Sequence, residues 1–226
     1  MWNQKSAKVL ILIPAYNAAS SLNDLIKRIG ASVDNPDILV VDDGSQDDTE
    51  QILKSSGVKY INSVVNRGKG HALRTGFTHA VGNGYDYVIT LDADLQHLPE
   101  ELLRFYENLG KGDIYIGTRN MHASRMPFLR SLTNNLTSLI ISIFGGVRFR
   151  DSQSGYRMMA VDLLDKIEVR SDRYDFESEL LFRLGMMKAR VIEIPISTIY
   201  EGSKSYINPF IDTGRFIKLI WKRIMF

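Results

Sequence analysis

Short apolar runs alternate with helical stretches through the first half of this chain, and that alternation constrains the fold more than any single motif. Strands are expected at Lys8–Ile13, Ile38–Val41, Val58–Ser63, Tyr87–Leu91 and Ile114–Gly117. Helices are expected between them at Ser20–Ile29, capped by Ser20 or Ser21, and at Thr49–Ser55, His71–Ala80 and Pro99–Leu109. Proline opens the last of these, where its missing N–H does no harm. Strands separated by helices in this way imply a mostly parallel sheet with helices on both faces, so the expected fold class is α/β. The second half is less regular. It reads as a helix at Leu129–Phe144, a polar turn at Asp151–Met158 leading to a strand, a helix at Phe176–Leu184 and a strand at Val191–Ile194 before Pro195. A polar stretch, Tyr200–Pro209, and a terminal helix, Arg215–Phe226, follow.

In open parallel sheets, ligands bind beyond the carboxyl ends of the strands. Four polar clusters occupy such ends: Pro14–Asn17, Asp42–Ser45, Asn66–Gly70 and Asp92–Gln96. In the last, Asp92, Asp94 and Gln96 alternate. Residues two apart on an extended chain share a side, so all three are expected to aim oxygens at one point. Hard oxygen ligands suit Mg²⁺ or Mn²⁺, above all when a substrate diphosphate supplies the remaining ligands. A polar turn before a helix reads the same way in isolation.

The other clusters carry similar pairs of readings. Asp42 and Asp43 can accept hydrogen bonds from a nucleotide base or ribose, or form a turn with a helix cap. The run Asn66-Arg67-Gly68-Lys69-Gly70 offers close backbone approach and two cations to a diphosphate, or is a flexible basic loop. It lacks the spacing of a P-loop. Arg119 follows a strand end, with Arg125 and Arg130 nearby, as a phosphate clamp or a solvated charged loop. In Asp151–Arg157, Asp151 could orient an acceptor or act as a base, or belong to a polar turn. Asp175 and Glu177 are either two acids facing a site or the charge of a helix N-terminus.

Length and composition set outer limits. The 226 residues suit one large domain or two intimately packed halves. A net charge of +2 argues against a nucleic-acid partner, and the absence of cysteine removes disulfides, thiolate metal sites and thiol nucleophiles. His71, His79, His97 and His122 lack metal-ligand spacing and are expected to be structural or exposed; no nucleophile elbow is present. The apolar run Val9–Ile13 is too short to span a membrane, and no signal-peptide pattern follows it, so a cytoplasmic location is expected. Leu136–Val147 is apolar but short, suiting a membrane contact or a buried helix. Arg215–Phe226 carries Arg215, Lys218, Lys222 and Arg223 with no acid, and Ile217, Ile220, Trp221 and Ile224 near one face. That is a basic amphipathic helix for an anionic membrane surface, or a docked or partner-binding helix.

Together these segments resemble the family 2 glycosyltransferases, and most closely their dolichyl-phosphate mannose synthase-like and bacterial polyprenyl-phosphate branch. The matching pieces are IPAYN (13–17), VVDDGSQDDT (40–49), NRGKGHALRTGF (66–77), DADLQHLPE (92–100), GTR (117–119), DSQSGYR (151–157) and IEIPI (192–196), in family order and over most of the chain. The resemblance implies a GT-A, Rossmann-like fold in a single domain over 1–226. Residues to about 118 would form the nucleotide-sugar half, and residues from about 119 the acceptor half. It implies a nucleotide pocket at Pro14, Tyr16, Asn17, Asp42, Asp43, Lys69 and Asp92, and a metal and diphosphate site at Asp92, Asp94 and Gln96. It places the acceptor phosphate at Arg119, Arg130, Ser203 and Lys204, and an acid near the acceptor at Asp151. Asp151, Arg119 and Asp94 are the catalytic candidates.

The implied reaction is metal-dependent, inverting transfer from a GDP- or UDP-linked sugar to a polyprenyl phosphate, by a protein peripheral on the cytoplasmic face of a membrane. A homo-oligomer or a separate membrane partner is compatible with it. Transfer to a hydroxyl of a glycan or lipid is the rival within the fold, and a non-catalytic nucleotide-sugar or membrane-binding module the rival outside it. Two departures stand out. Ala18 replaces the Glu that many relatives carry after the Pro-x-Tyr-Asn motif, and TIYEGSKSYINPFID (198–212) replaces an arginine-bearing segment of some synthases, for which Lys204 or Arg215 would compensate. The sequence also ends without the paired transmembrane helices of many relatives.

Overall fold

A computed structural model describes residues 7–119, 128–169, 171, 175–197 and 199, and the side chains of 128–133 lie outside that description. The side chain of Arg130, and Arg125, Ser203, Lys204 and the stretch 215–226, are therefore outside the described residues.

The apolar run near the N-terminus is the middle of the sheet. Strand β1 (Val9–Ala15) is buried along its whole length and pairs in parallel with β2 (Asp37–Asp42) on one side and β4 (Tyr87–Thr90) on the other. With β3 (Lys59–Asn62), β5 (Ile114–Arg119), β6 (Arg157–Ala160) and β7 (Val191–Ile196), the sheet has the order β3-β2-β1-β4-β6-β5-β7. Among the described strands β6 alone runs antiparallel, to β4 and β5. The expected mostly parallel sheet is therefore present.

Alternation along the strands sends side chains to two separate cores. Leu10, Leu12, Leu39 and Val41 face α3 (Lys69–Gly82), α5 (Phe128–Gly145), α6 (Val161–Leu164) and α7 (Asp175–Met186). Val9, Ile11, Ile13 and Val40 face α1 (Leu22–Ser32), α2 (Thr49–Ser56) and α4 (Leu102–Tyr106).

Several boundaries differ from the sequence reading. The expected helix Pro99–Leu109 is a 3-10 turn at Pro99–Glu101 followed by the short α4. Strand β7 runs through Pro195 to Ile196 instead of stopping before the proline. Among the described residues it is an edge strand, where a residue without an N–H is tolerated. Helix α3 starts at Lys69 instead of His71, so the basic loop is also a helix entry.

Candidate active site

The four polar clusters meet at one end of the sheet and are tied in series. The Asn17 N–H donates to Ser45 Oγ at 2.8 Å, and the Gln46 N–H donates to Asn17 Oδ1 at 2.8 Å. The Asp43 carboxylate accepts the backbone N–H groups of Arg67, at 3.1 Å, and Gly68, at 2.6 Å. Lys69 Nζ, one residue on, lies 2.6 Å from Asp92 Oδ1. Gly44 permits the turn: its φ is +75°, and a Cβ there would stand 2.7 Å from the Asn66 nitrogen. Asp43 thus holds the basic loop against the first two clusters. Asp42 is buried too, with Oδ1 accepting from Ser45 and Oδ2 unpartnered among the described residues. Tyr16 is 47% exposed beside them.

Lys69 connects this row to a second group of charges. Its ammonium also lies 3.2 Å from Glu177 Oε2 on α7, and Glu177 Oε1 accepts from Arg157 at 2.8 Å. Arg157 is fully buried and donates to the Ser152 carbonyl at 2.8 Å. Burial acts to lower the Lys69 pKa, but Asp92 and then Glu177 outweigh it, and the ammonium is held firmly charged. Burial acts to raise the Asp92 pKa, and Lys69 more than reverses it, so Asp92 sits below its ordinary value. Gly155 seals the other side of Asp92: a Cβ there would collide with the carboxylate. Gly155→Ala is expected to push Asp92 out of place and lower kcat/KM on the order of 100-fold. Unchanged kinetics in the well-folded variant would show that the position of Asp92 is not critical.

Beyond Asp92 the chain turns. Leu95 has a φ of +57°, the Gln96 N–H donates to Asp94 Oδ1 at 3.1 Å, and the Gln96 carbonyl accepts from Ile199. The extended alternation expected to align Gln96 with both aspartates is therefore absent. Asp94 is solvent-exposed, yet its carboxyl is held above the usual range, first by loss of hydration and then by Asp92. Two carboxylates that share one locality and are only partly compensated by Lys69 fit a hard divalent cation with open positions for phosphate oxygens. Among the described residues no group of three or more His, Asp or Glu side chains could cage an ion. A metal bound here would complete its shell from substrate.

At the end of β5, Arg119 and Asp151 form a buried bidentate pair, Nε to Oδ2 and Nη2 to Oδ1, both 2.7 Å. Asp151 also accepts the Arg119 N–H at 3.2 Å and Asn134 Nδ2 at 3.1 Å. Burial acts to raise its pKa, but hydrogen bonds from Arg119 outweigh it and hold it low. His97, expected to be structural or exposed, is buried, and the charges of Asp92, Arg119, Asp151 and Lys69 act on it. Burial depresses its pKa to about 4, so the imidazole is neutral.

Arg157 and Glu177 emerge as members of the charge network, with Asn134 and His97 as neighbours. Glu177 had a signal as one of two acids near a helix start, and Arg157 closes the dense polar run from Asp151. Their partners come from distant segments and leave no local pattern.

The sequence model described as glycosyl transferase family 2 matches residues 10–167. The undecaprenyl-phosphate mannosyltransferase of Micrococcus luteus is 32% identical over 203 residues, covering 85% of this chain and 84% of that protein. The UDP-N-acetylglucosamine–dolichyl-phosphate N-acetylglucosaminyltransferase of Methanococcus voltae is 30% identical over 217 residues, covering 85% of this chain and 86% of that one. In the solved structure of glucosyl-3-phosphoglycerate synthase from Mycobacterium tuberculosis with Mn²⁺, UDP and glucosyl-3-phosphoglycerate, 84% of the chain superposes on 98% of this one, with a TM-score of 0.75 and 18% identity. That likeness establishes the α/β GT-A fold.

Proposed function

Because the chain belongs to glycosyltransferase family 2, and is a glycosyltransferase, we propose that it moves a sugar from a nucleotide diphosphate donor to a polyprenyl phosphate. The observation that carries the choice of acceptor is the Arg119–Asp151 pair. A sugar or lipid hydroxyl needs a base to remove its proton as it attacks. Asp151, the acid on the acceptor side, is saturated by a guanidinium fork, a backbone N–H and Asn134, and its lowered pKa makes it a weak base. A phosphate monoester is already an anion and needs no base. The acceptors in the names of the two relatives above belong to the same class.

In this reading the nucleotide sits against Pro14, Tyr16, Asn17, Asp42 and Asp43, with Lys69 and Asp92 at its diphosphate. The residues that would hold Mg²⁺ or Mn²⁺ are Asp92 and Asp94, with Gln96 as a further proposed ligand. A bound cation would neutralise charge on the departing diphosphate. Lys69 supplies a further positive charge beside it, and Glu177 and Arg157 fix where that charge stands. Arg119, with Arg130, Ser203 and Lys204, would hold the acceptor phosphate so that its oxygen attacks the anomeric carbon opposite the leaving group, inverting it. Asp151 orients Arg119 and does not take a proton. Among the described residues no helix is long and apolar enough to cross a membrane, and the proposed site of action is the cytoplasmic membrane face.

Glu177→Gln should leave Lys69 resting on Asp92 alone, in competition with the metal. The Mn²⁺ concentration for half-maximal activity is expected to rise severalfold with kcat little changed; a lower requirement would contradict this role. The function itself is tested by incubating the full chain with UDP- and GDP-sugars, polyprenyl phosphate and Mg²⁺ or Mn²⁺. A lipid-linked sugar phosphate and free nucleoside diphosphate are expected. Nucleotide-sugar binding without turnover on any acceptor would point instead to a non-catalytic module.

A further inference from the structure

Asp94 is the exposed half of the carboxylate pair, yet a hard divalent cation needs both halves held in place. Asp92 is fixed by Lys69 and walled by Gly155. For Asp94 the turn itself offers one hydrogen bond, from the Gln96 N–H to Oδ1. The residue between the two acids, Ala93, is anchored from 72 residues earlier in the chain: its carbonyl accepts the Ser21 hydroxyl at 2.6 Å. A peptide is planar, so holding the Ala93 carbonyl also holds the plane that leads into Asp94.

Serine before a helix reads as a cap, and Ser21 does stand at the N-cap position of α1, but its side chain makes no cap hydrogen bond. The hydroxyl has one proton to give. The Ala93 carbonyl is the nearer acceptor, and the Ala18 carbonyl lies at 3.3 Å. Ser21 is joined to the nucleotide side as well. Its N–H and that of Leu22 donate to the Ala18 carbonyl, and the Ala18 N–H donates to Thr49 Oγ1 at 2.8 Å. A line of hydrogen bonds thus runs from the start of α2 through Ala18 and Ser21 to Ala93. Further along α1, Arg28 grips both oxygens of Glu100 at 2.8 Å. That second tie is an exposed charge pair, of a kind that contributes little.

We propose that Ser21 is a positioning residue for the divalent-cation site: its hydroxyl sets the Ala93 peptide so that the Asp94 carboxylate stands with that of Asp92. The role rests on the proposed reading of Asp92 and Asp94 as the metal and diphosphate site. Ser21 Oγ is committed to a carbonyl, so it orients ligands and is not one itself. Without the hydroxyl the Ala93 peptide is free to rotate and the two carboxylates spread, which a cation demanding fixed oxygen geometry resists. Because the same residue is bonded through Ala18 to the nucleotide cluster, the metal pair and the nucleotide pocket share one brace.

Mn²⁺ binding to the full chain with saturating UDP or GDP, read as loss of the free-ion EPR signal, reports the site without turnover. Ser21→Ala is expected to weaken it about tenfold, and Ser21→Thr, which keeps the hydroxyl, to stay within about twofold of the unaltered chain. Ser32→Ala is the matched control. It removes a hydroxyl-to-carbonyl bond of the same 2.6 Å length from the same helix, to Arg28 and away from the turn, and should leave Mn²⁺ binding unchanged. Ser21→Cys, similar in shape but a weak donor, should lose affinity as well, including if the alanine variant fails to fold. In transfer assays the Mn²⁺ requirement of Ser21→Ala should rise while KM for polyprenyl phosphate stays as it was. Native Mn²⁺ binding in Ser21→Ala, or an equal loss in Ser32→Ala, would overturn the positioning role and leave the metal site standing. No Mn²⁺ binding by the unaltered chain would overturn the metal reading and this role with it. The Ser21 effect on Mn²⁺ without any sugar transfer would support the role and count against the proposed function alone.

Discussion

Asp94→Ala is expected to abolish sugar transfer at Mg²⁺ or Mn²⁺ concentrations that saturate the unaltered protein, a loss of at least about 10³-fold in kcat. The expectation rests on charge. Asp92 is held by Lys69 at 2.6 Å and walled by Gly155. Asp94 is the exposed member of the pair, and its carboxyl is raised first by lost hydration and then by Asp92. Removing it leaves Lys69 as the main counter-charge at Asp92 and takes away half of the carboxylate pair that suits a divalent cation. The fold should tolerate the change, because the described bond it loses is one turn hydrogen bond to the Gln96 N–H, worth about 1 kcal/mol. Near-normal turnover in a variant of unchanged melting temperature would remove the metal site from Asp94.

Truncating the acceptor-side pair should act on the fold as well as on the reaction. Asp151→Ala leaves the Arg119 guanidinium buried without its carboxylate, a defect that typically costs about 3–5 kcal/mol, read as a fall in the denaturation midpoint. Asp151→Asn keeps the shape and part of the hydrogen bonding, and separates the chemical roles. With a phosphate acceptor, Arg119→Ala should lower kcat/KM for the acceptor more than Asp151→Asn does. With a hydroxyl acceptor the order reverses, since Asp151 would then be the base. The pH dependence has a definite sign. Asp151 is depressed in the folded protein, so its contribution is present above the unfolded carboxylate pKa of about 3.9 and is lost as pH falls through the lower folded value. The acid limb of the stability curve should be shallower in Asp151→Asn.

The parallel sheet was legible because β1 is apolar on both faces and its neighbours are separated by helical stretches. The direction of β6 was not, since Arg157–Ala160 reads alike in either orientation and only its pairing with β4 and β5 decides it. The short α6 carries too few residues to show a helical period. At the site, the polar ends of β1, β2 and β4 were legible as clusters, but their internal division of labour was not. Asp43 accepts hydrogen bonds from loop amides, and Gln96 lies past a left-handed residue. Lys69 reaches two carboxylates from distant parts of the chain. Each of these is a tertiary contact with no local sequence period.

The central claim is that the acceptor is an anion that needs no base. Polyprenyl phosphate and the polyprenol alcohol of equal chain length, offered in parallel with the preferred nucleotide sugar and Mn²⁺, test it most directly. Sugar transfer to the phosphate with none to the alcohol is the predicted result; comparable transfer to the alcohol would contradict it.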